Sequence, residues 1–286
     1  MDGPSIVART LTVVGDDVDE YGNVWQYRSR SDRHSKIACW GVFFDLLQSS
    51  DLLRRHVADE KVIFGVNHRM GDFKTQRPKN LDLVIARPGG ALVRGSTKDK
   101  DVATMALHWG ILLTADERER LERLPRAVVG SVGSVLVALE AKAAMTAHQR
   151  ALPRLYDELN SSHLTVHASS DYAAAAAFVM VNVASEFIST DINKWNLHER
   201  PAKVSKHKQP RDAGLVVEKV KQIPRRTKPG DDGFDAIGIV VVDCRNDGSE
   251  ITVREEPPAP GREDDFNYDA MIRRLGNIYD TRFANV

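Results

Sequence analysis

A disulfide or zinc scaffold is the first architecture to be excluded. Only two cysteines occur in 286 residues. They are Cys39 and Cys244, each in apolar surroundings without His or Cys at ligand spacing, so both read as core thiols. Long apolar runs are equally scarce. The best, Ala173 to Ala184, falls short of the roughly 18 residues a bilayer span requires, and a buried strand or helix is expected there. The opening Met1-Asp2-Gly3-Pro4 has neither a basic nor an apolar leader segment. A cytoplasmic protein with no membrane partner is expected. No G-x-G-x-x-G, Walker lysine loop or G-x-S-x-G elbow occurs, which removes the commonest dinucleotide, NTPase and serine-hydrolase readings. Net charge is the last absence, since 40 Lys/Arg offset 40 Asp/Glu.

That neutrality is uneven along the chain. Between His198 and Lys228, ten Lys/Arg stand against three acids, a local charge of +7, whereas Pro229 to Asp269 carries twelve acids against three Arg, or −9. A neutral total can therefore hide a basic face. The 42% hydrophobic content is ample for one large α/β domain or two small ones.

The first thirty or so residues alternate weakly (Ser5-Ile6-Val7, Leu11-Thr12-Val13-Val14), which predicts an arm or small accessory sheet over 1–32. From His34 to His56, Ile37, Trp40, Phe43, Leu46, Leu47 and Leu53 recur at helical spacing. Lys61 to Val66 and Leu81 to Ala86 read as strands joined by a basic loop, the second closed by Pro88-Gly89-Gly90. Asp101 to Arg126 reads as helical, within an insertion of about 95–128. Val132 to Leu139 is nearly unbroken in Val, Leu and Ala, as for a strand buried on both faces, and it runs into Glu140-Ala141-Lys142. A helix over Ala147 to Leu159, a strand over Ala175 to Val183, a helix including Gly214 to Lys221 and a last strand over Ala236 to Val242 follow. A tail over 246–286 ends in a short helix near Tyr268 to Leu275. Strands alternating with helices predict an α/β fold, a central mixed sheet flanked by helices, with its core over 33–245.

One constellation carries chemistry. Residues two apart on a strand share a face, so Glu140 and Lys142 emerge together about 6–7 Å apart while Ala141 turns away. By the same rule Leu81, Leu83 and Ile85 point one way and Asp82 and Val84 the other, which sets a carboxylate in an apolar strand. A charge there costs free energy unless something binds it. Magnesium is a hard ion held by one or two carboxylates, water and phosphate. Asp82 and Glu140 are the expected ligands, with the Ala141 carbonyl as a third oxygen. Lys142 then has two tasks open to it: activating the attacking water, or standing as a cation beside the phosphate.

These residues resemble the PD-(D/E)XK nuclease superfamily, which includes type II restriction endonucleases, over roughly His34 to Arg245. The leading helix, the Asp82 strand pair, the strand into Glu140-Ala141-Lys142, the immediate helix and the further strand follow that family's order. Leu81 instead of proline precedes the aspartate, and a long insertion separates the two halves of the motif. The resemblance implies a restriction-endonuclease-like core, Asp82 and Glu140 as metal ligands, Lys142 as the catalytic lysine, Mg²⁺ with Mn²⁺ as a substitute, duplex DNA as substrate, and a homodimer. A non-catalytic nucleic-acid-binding or assembly protein with the same sheet is the alternative. An α/β enzyme acting on a small phosphorylated metabolite ranks third.

Asp72-Phe73-Lys74 is a rival acid-x-lysine triplet in a polar loop. With His68, Arg69, Lys74, Arg77 and Lys79, that loop reads equally as a phosphate contact or a solvated tip. The second basic stretch supplies Lys203, Lys206, Lys208, Arg211, Arg225 and Arg226 as candidate DNA contacts. Asp45 and Glu60 are candidate extra acids. His148, Gln149 and Tyr156 follow the triplet on its helix, His163 and His167 form an i,i+4 pair without a third ligand, and Trp195 reads as a core or hinge residue, with base stacking as the alternative.

Overall fold

In the computed structural model, residues 1–71, 78–90 and 101–286 are described. The chain opens with three helices, α1 (Gly3–Thr12), α2 (Arg33–Ser49) and α3 (Asp51–Ala58). Strands β1 (Ile63–Gly71) and β2 (Pro78–Pro88) come next, then helices α4 (Val102–His108) and α5 (Ala115–Arg123). Strand β3 (Val132–Ala144) leads into the long helix α6 (His148–Ser169) and strand β4 (Ala174–Asn182). A two-stranded ribbon, β5 (Glu186–Phe187) and β6 (Ser205–Lys206), precedes α7 (Arg211–Lys221), β7 (Ala236–Asp243), β8 (Thr252–Arg254) and α8 (Tyr268–Arg282).

Six strands form one mixed sheet in the order β1-β2-β3-β4-β7-β8. β2 runs antiparallel to both β1 and β3, the strands β3, β4 and β7 run parallel, and β8 returns antiparallel at the far edge. Parallel neighbours need helical crossovers, which α6 and α7 supply. Both lie on one face, where Leu155, Leu159, Val216 and Val217 pack on Ala175, Val179 and Ile237. Helices α1, α2 and α8 cover the other, with Ile6, Phe43, Leu47 and Met271 against Leu139 and Phe178. Every residue of β4 is buried, which is why its sequence is an unbroken apolar run rather than an alternating one. The α/β class with a central mixed sheet flanked by helices is therefore the architecture found. Among the described residues, no helix is long and apolar enough to cross a membrane.

Two expectations require correction. Within the expected N-terminal arm or small sheet, Gly3–Thr12 is instead helix α1, whose Ile6, Val7, Thr10 and Leu11 form one buried face. Pro4 suits the first turn, and the buried Asp45 carboxylate accepts the Asp2 and Gly3 N–H groups, satisfying donors a helix start leaves open. Packing on α2 thus overrides the weak β-propensity of these residues. The terminal helix is also longer than expected. It spans Tyr268–Arg282 and buries Tyr268, Met271, Ile272, Leu275 and Tyr279 in the α1–α2 layer.

Candidate active site at the splayed end of the β2–β3 ladder

The site forms where β2 and β3 part. Their pairing runs from Pro88↔Val132 to Leu83↔Leu139 and stops one residue before Asp82. On the other side of β2, Val66↔Leu83 and His68↔Leu81 pair while Asn67 between them adopts a left-handed backbone at φ 50°, a conformation asparagine tolerates. The strand therefore loosens on both sides of Asp82. Strict alternation ends there: Leu83 and Ile85 belong to the α2–α8 core and Val84 to the α6–α7 core, but Leu81 joins Val84 instead of Leu83. The freed Asp82 carboxylate takes the ladder's place, its Oδ2 accepting the Ala141 N–H at 2.8 Å. N–H and C=O of one strand residue point to the same side, so the Ala141 carbonyl faces this gap as well. Ser35, in the first turn of α2, lies near the same carboxylate, its own hydroxyl donating to the Asp32 carbonyl at 3.0 Å.

Glu140 and Lys142 share the face covered by α6, as their two-residue spacing requires. Glu140 is only 3% exposed. Its Oε1 lies 2.7 Å from Lys142 Nζ and 3.9 Å from Lys79 Nζ, while its Oε2 is buried without a hydrogen-bond partner among the described residues. Burial first, and the Glu140 charge second, push the Asp82 carboxyl up to about 6. Burial alone would lower the Lys142 ammonium, but Glu140, aided by Glu158 and Asp82, holds it above its ordinary value. Lys79 goes the other way, burial lowering it despite Glu140. Beside Lys142, burial and that ammonium push His34 down to about 4, so the imidazole is neutral. Two neighbouring carboxylates result, Glu140 with one oxygen paired to Lys142 and the other buried without a partner among the described residues, and Asp82 pushed toward protonation. They are hard oxygen donors of the kind Mg²⁺ takes. Among the described residues no group of three or more His, Cys, Asp or Glu side chains gathers as a metal site; the oxygens at this opening are those of Asp82, Glu140 and the Ala141 carbonyl.

The other expected residues scatter. Asp45 is committed to the α1 N-terminus and to Tyr268 Oη, and Glu60 sits on the exposed turn before β1, toward the end of the sheet away from Asp82. His148 Nε2 lies 2.8 Å from the Asn182 carbonyl oxygen, Gln149 lies near Asp212, and Tyr156 lies under Lys219. His163 and His167 are 6.1 Å apart between ring centroids; His167 is tied to the Gly233 carbonyl and His163 to Asn160. Trp195 stacks with Arg200. Cys39 and Cys244 are free and buried.

The described basic candidates divide into three groups. Arg69, Lys203, Lys206, Lys208 and Arg211 are exposed. The ribbon carrying Lys206 lies at the C-terminal end of β3, where His207 Nε2 lies 3.0 Å from Thr146 Oγ1 and its Nδ1 meets the Ala184 carbonyl. Arg225 is paired with Asp265 at 2.6 Å. Arg226 is a correction: it is 1% exposed, bound to Asp235 at 2.9 Å and to the Ala173 carbonyl, so it cannot touch a backbone phosphate. Lys79 points inward, donating to the Glu158 carbonyl at 2.7 Å, to Ser161 at 2.8 Å and to Ser162. Asp72, Phe73, Lys74 and Arg77 lie outside the described residues.

Three participants escaped the sequence: Ser35, Lys79 in its inward role, and Glu158, whose Oε2 lies 3.5 Å from Lys142 Nζ. Ser35 looks like a helix-start residue, and Glu158 with Arg154 looks like an ordinary i,i+4 surface pair. No signal in the chain separates them from those roles. Compared with protein-family models, curated proteins and solved structures, the chain finds no match.

Proposed function

We propose that this chain is a metal-dependent nuclease of the PD-(D/E)XK type, hydrolysing phosphodiester bonds of duplex DNA in a restriction or phage-defence setting. The observation that carries the reading is the meeting of Asp82 with Glu140-Ala141-Lys142 where the sheet opens, with Glu140 Oε2 buried and without a hydrogen-bond partner among the described residues. A leading α2, antiparallel β1-β2-β3, helix α6 and parallel β4 support a restriction-endonuclease-like core. Asp82, Glu140 and the Ala141 carbonyl would hold Mg²⁺ or Mn²⁺. Such an ion, when bound, supplies positive charge against the phosphate and acidifies water.

The chain's own residues supply the remainder. Asp82, oriented by the Ala141 N–H, presents a carboxylate whose ionisation a cation would favour. Lys142, kept as an ammonium by Glu140 and Glu158, suits charge neutralisation on the phosphate rather than proton abstraction. Lys203, Lys206, Lys208 and Arg211, exposed near the C-terminal end of β3 and without an ion pair among the described residues, suit a nucleic-acid backbone. Homodimerisation would bring one site to each strand.

Purified protein is expected to nick or cut plasmid DNA with Mg²⁺ or Mn²⁺. Lys142→Ala and Asp82→Ala should each abolish cutting with DNA binding largely retained. Absence of metal-dependent cleavage on every DNA and RNA tried would overturn the assignment. A binding protein without turnover is the second reading, and the Lys142–Glu140 pair, already closed at 2.7 Å, is the observation on its side.

A further inference from the structure

Lys142 is suspended between two carboxylates of different character. Its Nζ lies 2.7 Å from Glu140 Oε1, which is buried, and 3.5 Å from Glu158 Oε2, whose side chain is 34% exposed on α6. A divalent cation at Asp82 and Glu140 would compete with this ammonium for Glu140, and two cations on one carboxylate repel. Lys142 then needs a second anionic partner within reach, or cation binding must leave a partly buried ammonium uncompensated.

We infer that Glu158 is a positioning residue that receives the Lys142 ammonium when a divalent cation takes Glu140. The inference rests on the reading that Asp82 and Glu140 hold such a cation. Glu158 is held ready for the exchange, because its Oε1 accepts Arg154 Nε at 2.6 Å and its carbonyl accepts Lys79 Nζ at 2.7 Å. Lys79, spent on that carbonyl and on Ser161 and Ser162, stays 3.9 Å from Glu140 and does not take over the role. The move carries the ammonium from the buried carboxylate toward the exposed end of the cluster, where a phosphate would arrive. Glu158 thus sets both the ease of cation entry and the place of the charge that meets the substrate.

The test is calorimetric titration of the full chain with MgCl₂ and MnCl₂, without nucleic acid, for wild type, Glu158→Ala, Lys142→Ala and the double variant. Glu158→Ala should weaken cation binding by about three- to tenfold, the scale of a partly exposed ion pair. Glu158→Gln, which keeps the shape, should repeat the loss. Lys142→Ala should tighten binding, and in that background Glu158→Ala should change it by less than about twofold, the signature of coupled residues. An equal loss in both backgrounds would mean that Glu158 acts only through its distant charge and would overturn the inference, as would no loss at all. Wild type that binds neither ion would overturn the cation site along with it. Coupled binding without any cleavage would sink the nuclease assignment and leave Glu158 in its role.

Discussion

Asp82→Asn should make the protein more stable, by an amount that depends on pH. The Asp82 carboxyl is raised from 3.8 to about 6, first by burial and then by Glu140. A folded value above the unfolded one means that the structure favours the neutral acid. That preference is fully expressed below about 3.8 and lost as pH rises through about 6. At pH 8 the ionised carboxylate then costs about 3 kcal/mol relative to a neutral group, from roughly two pKa units at 1.36 kcal/mol each. At pH 4 the cost is only about 0.5 kcal/mol. Asparagine is neutral, nearly the same shape, and keeps an oxygen to accept the Ala141 N–H. Urea denaturation of wild type and variant across pH 4 to 8 should therefore show a gain in Asp82→Asn that grows with pH toward about 3 kcal/mol. Saturating Mg²⁺ should narrow the gap by stabilising wild type alone. A variant less stable than wild type at pH 8, or a gain that does not change with pH, would refute the account of a charge-starved carboxylate.

Two further outcomes test the distribution of positive charge. Replacing Lys203, Lys206, Lys208 and Arg211 together with alanine should leave the fold intact and reduce the slope of log affinity for duplex DNA against log salt by about 3–4; Arg225→Ala, whose guanidinium is already paired with Asp265, should change it little, and equal effects would misplace the interface. Arg226→Ala should destabilise the protein by roughly 3–5 kcal/mol, toward the lower end because Arg282 keeps its hold on Asp235 Oδ1 at 2.9 Å. Denaturation reads that loss, and a stable variant with weakened DNA binding would return Arg226 to the surface.

Much of this protein was legible in the chain. Unbroken Val and Ala runs over β3, β4 and β7 announce strands covered on both faces, because such a strand has no wet side to mark with polar residues. The spacing of Glu140 and Lys142 sets them on one face by local geometry alone. Local rules misread what distant contacts decide. Helix α1 depends on Asp45, more than forty residues away in sequence, to satisfy its opening N–H groups. Arg225 and Arg226 are neighbours in one basic run, yet one reaches the surface and the other is swallowed by Asp235. Side-chain partners, not charge, separate them. Asp82 could be named from its apolar strand, but its meeting with Ala141 required the β2–β3 ladder to end at Leu83, and Glu158 required α6 to lie over Lys142. Periodicity is a property of neighbours along the chain. Convergence of charges at a sheet opening is a property of packing, and only the folded chain contains it.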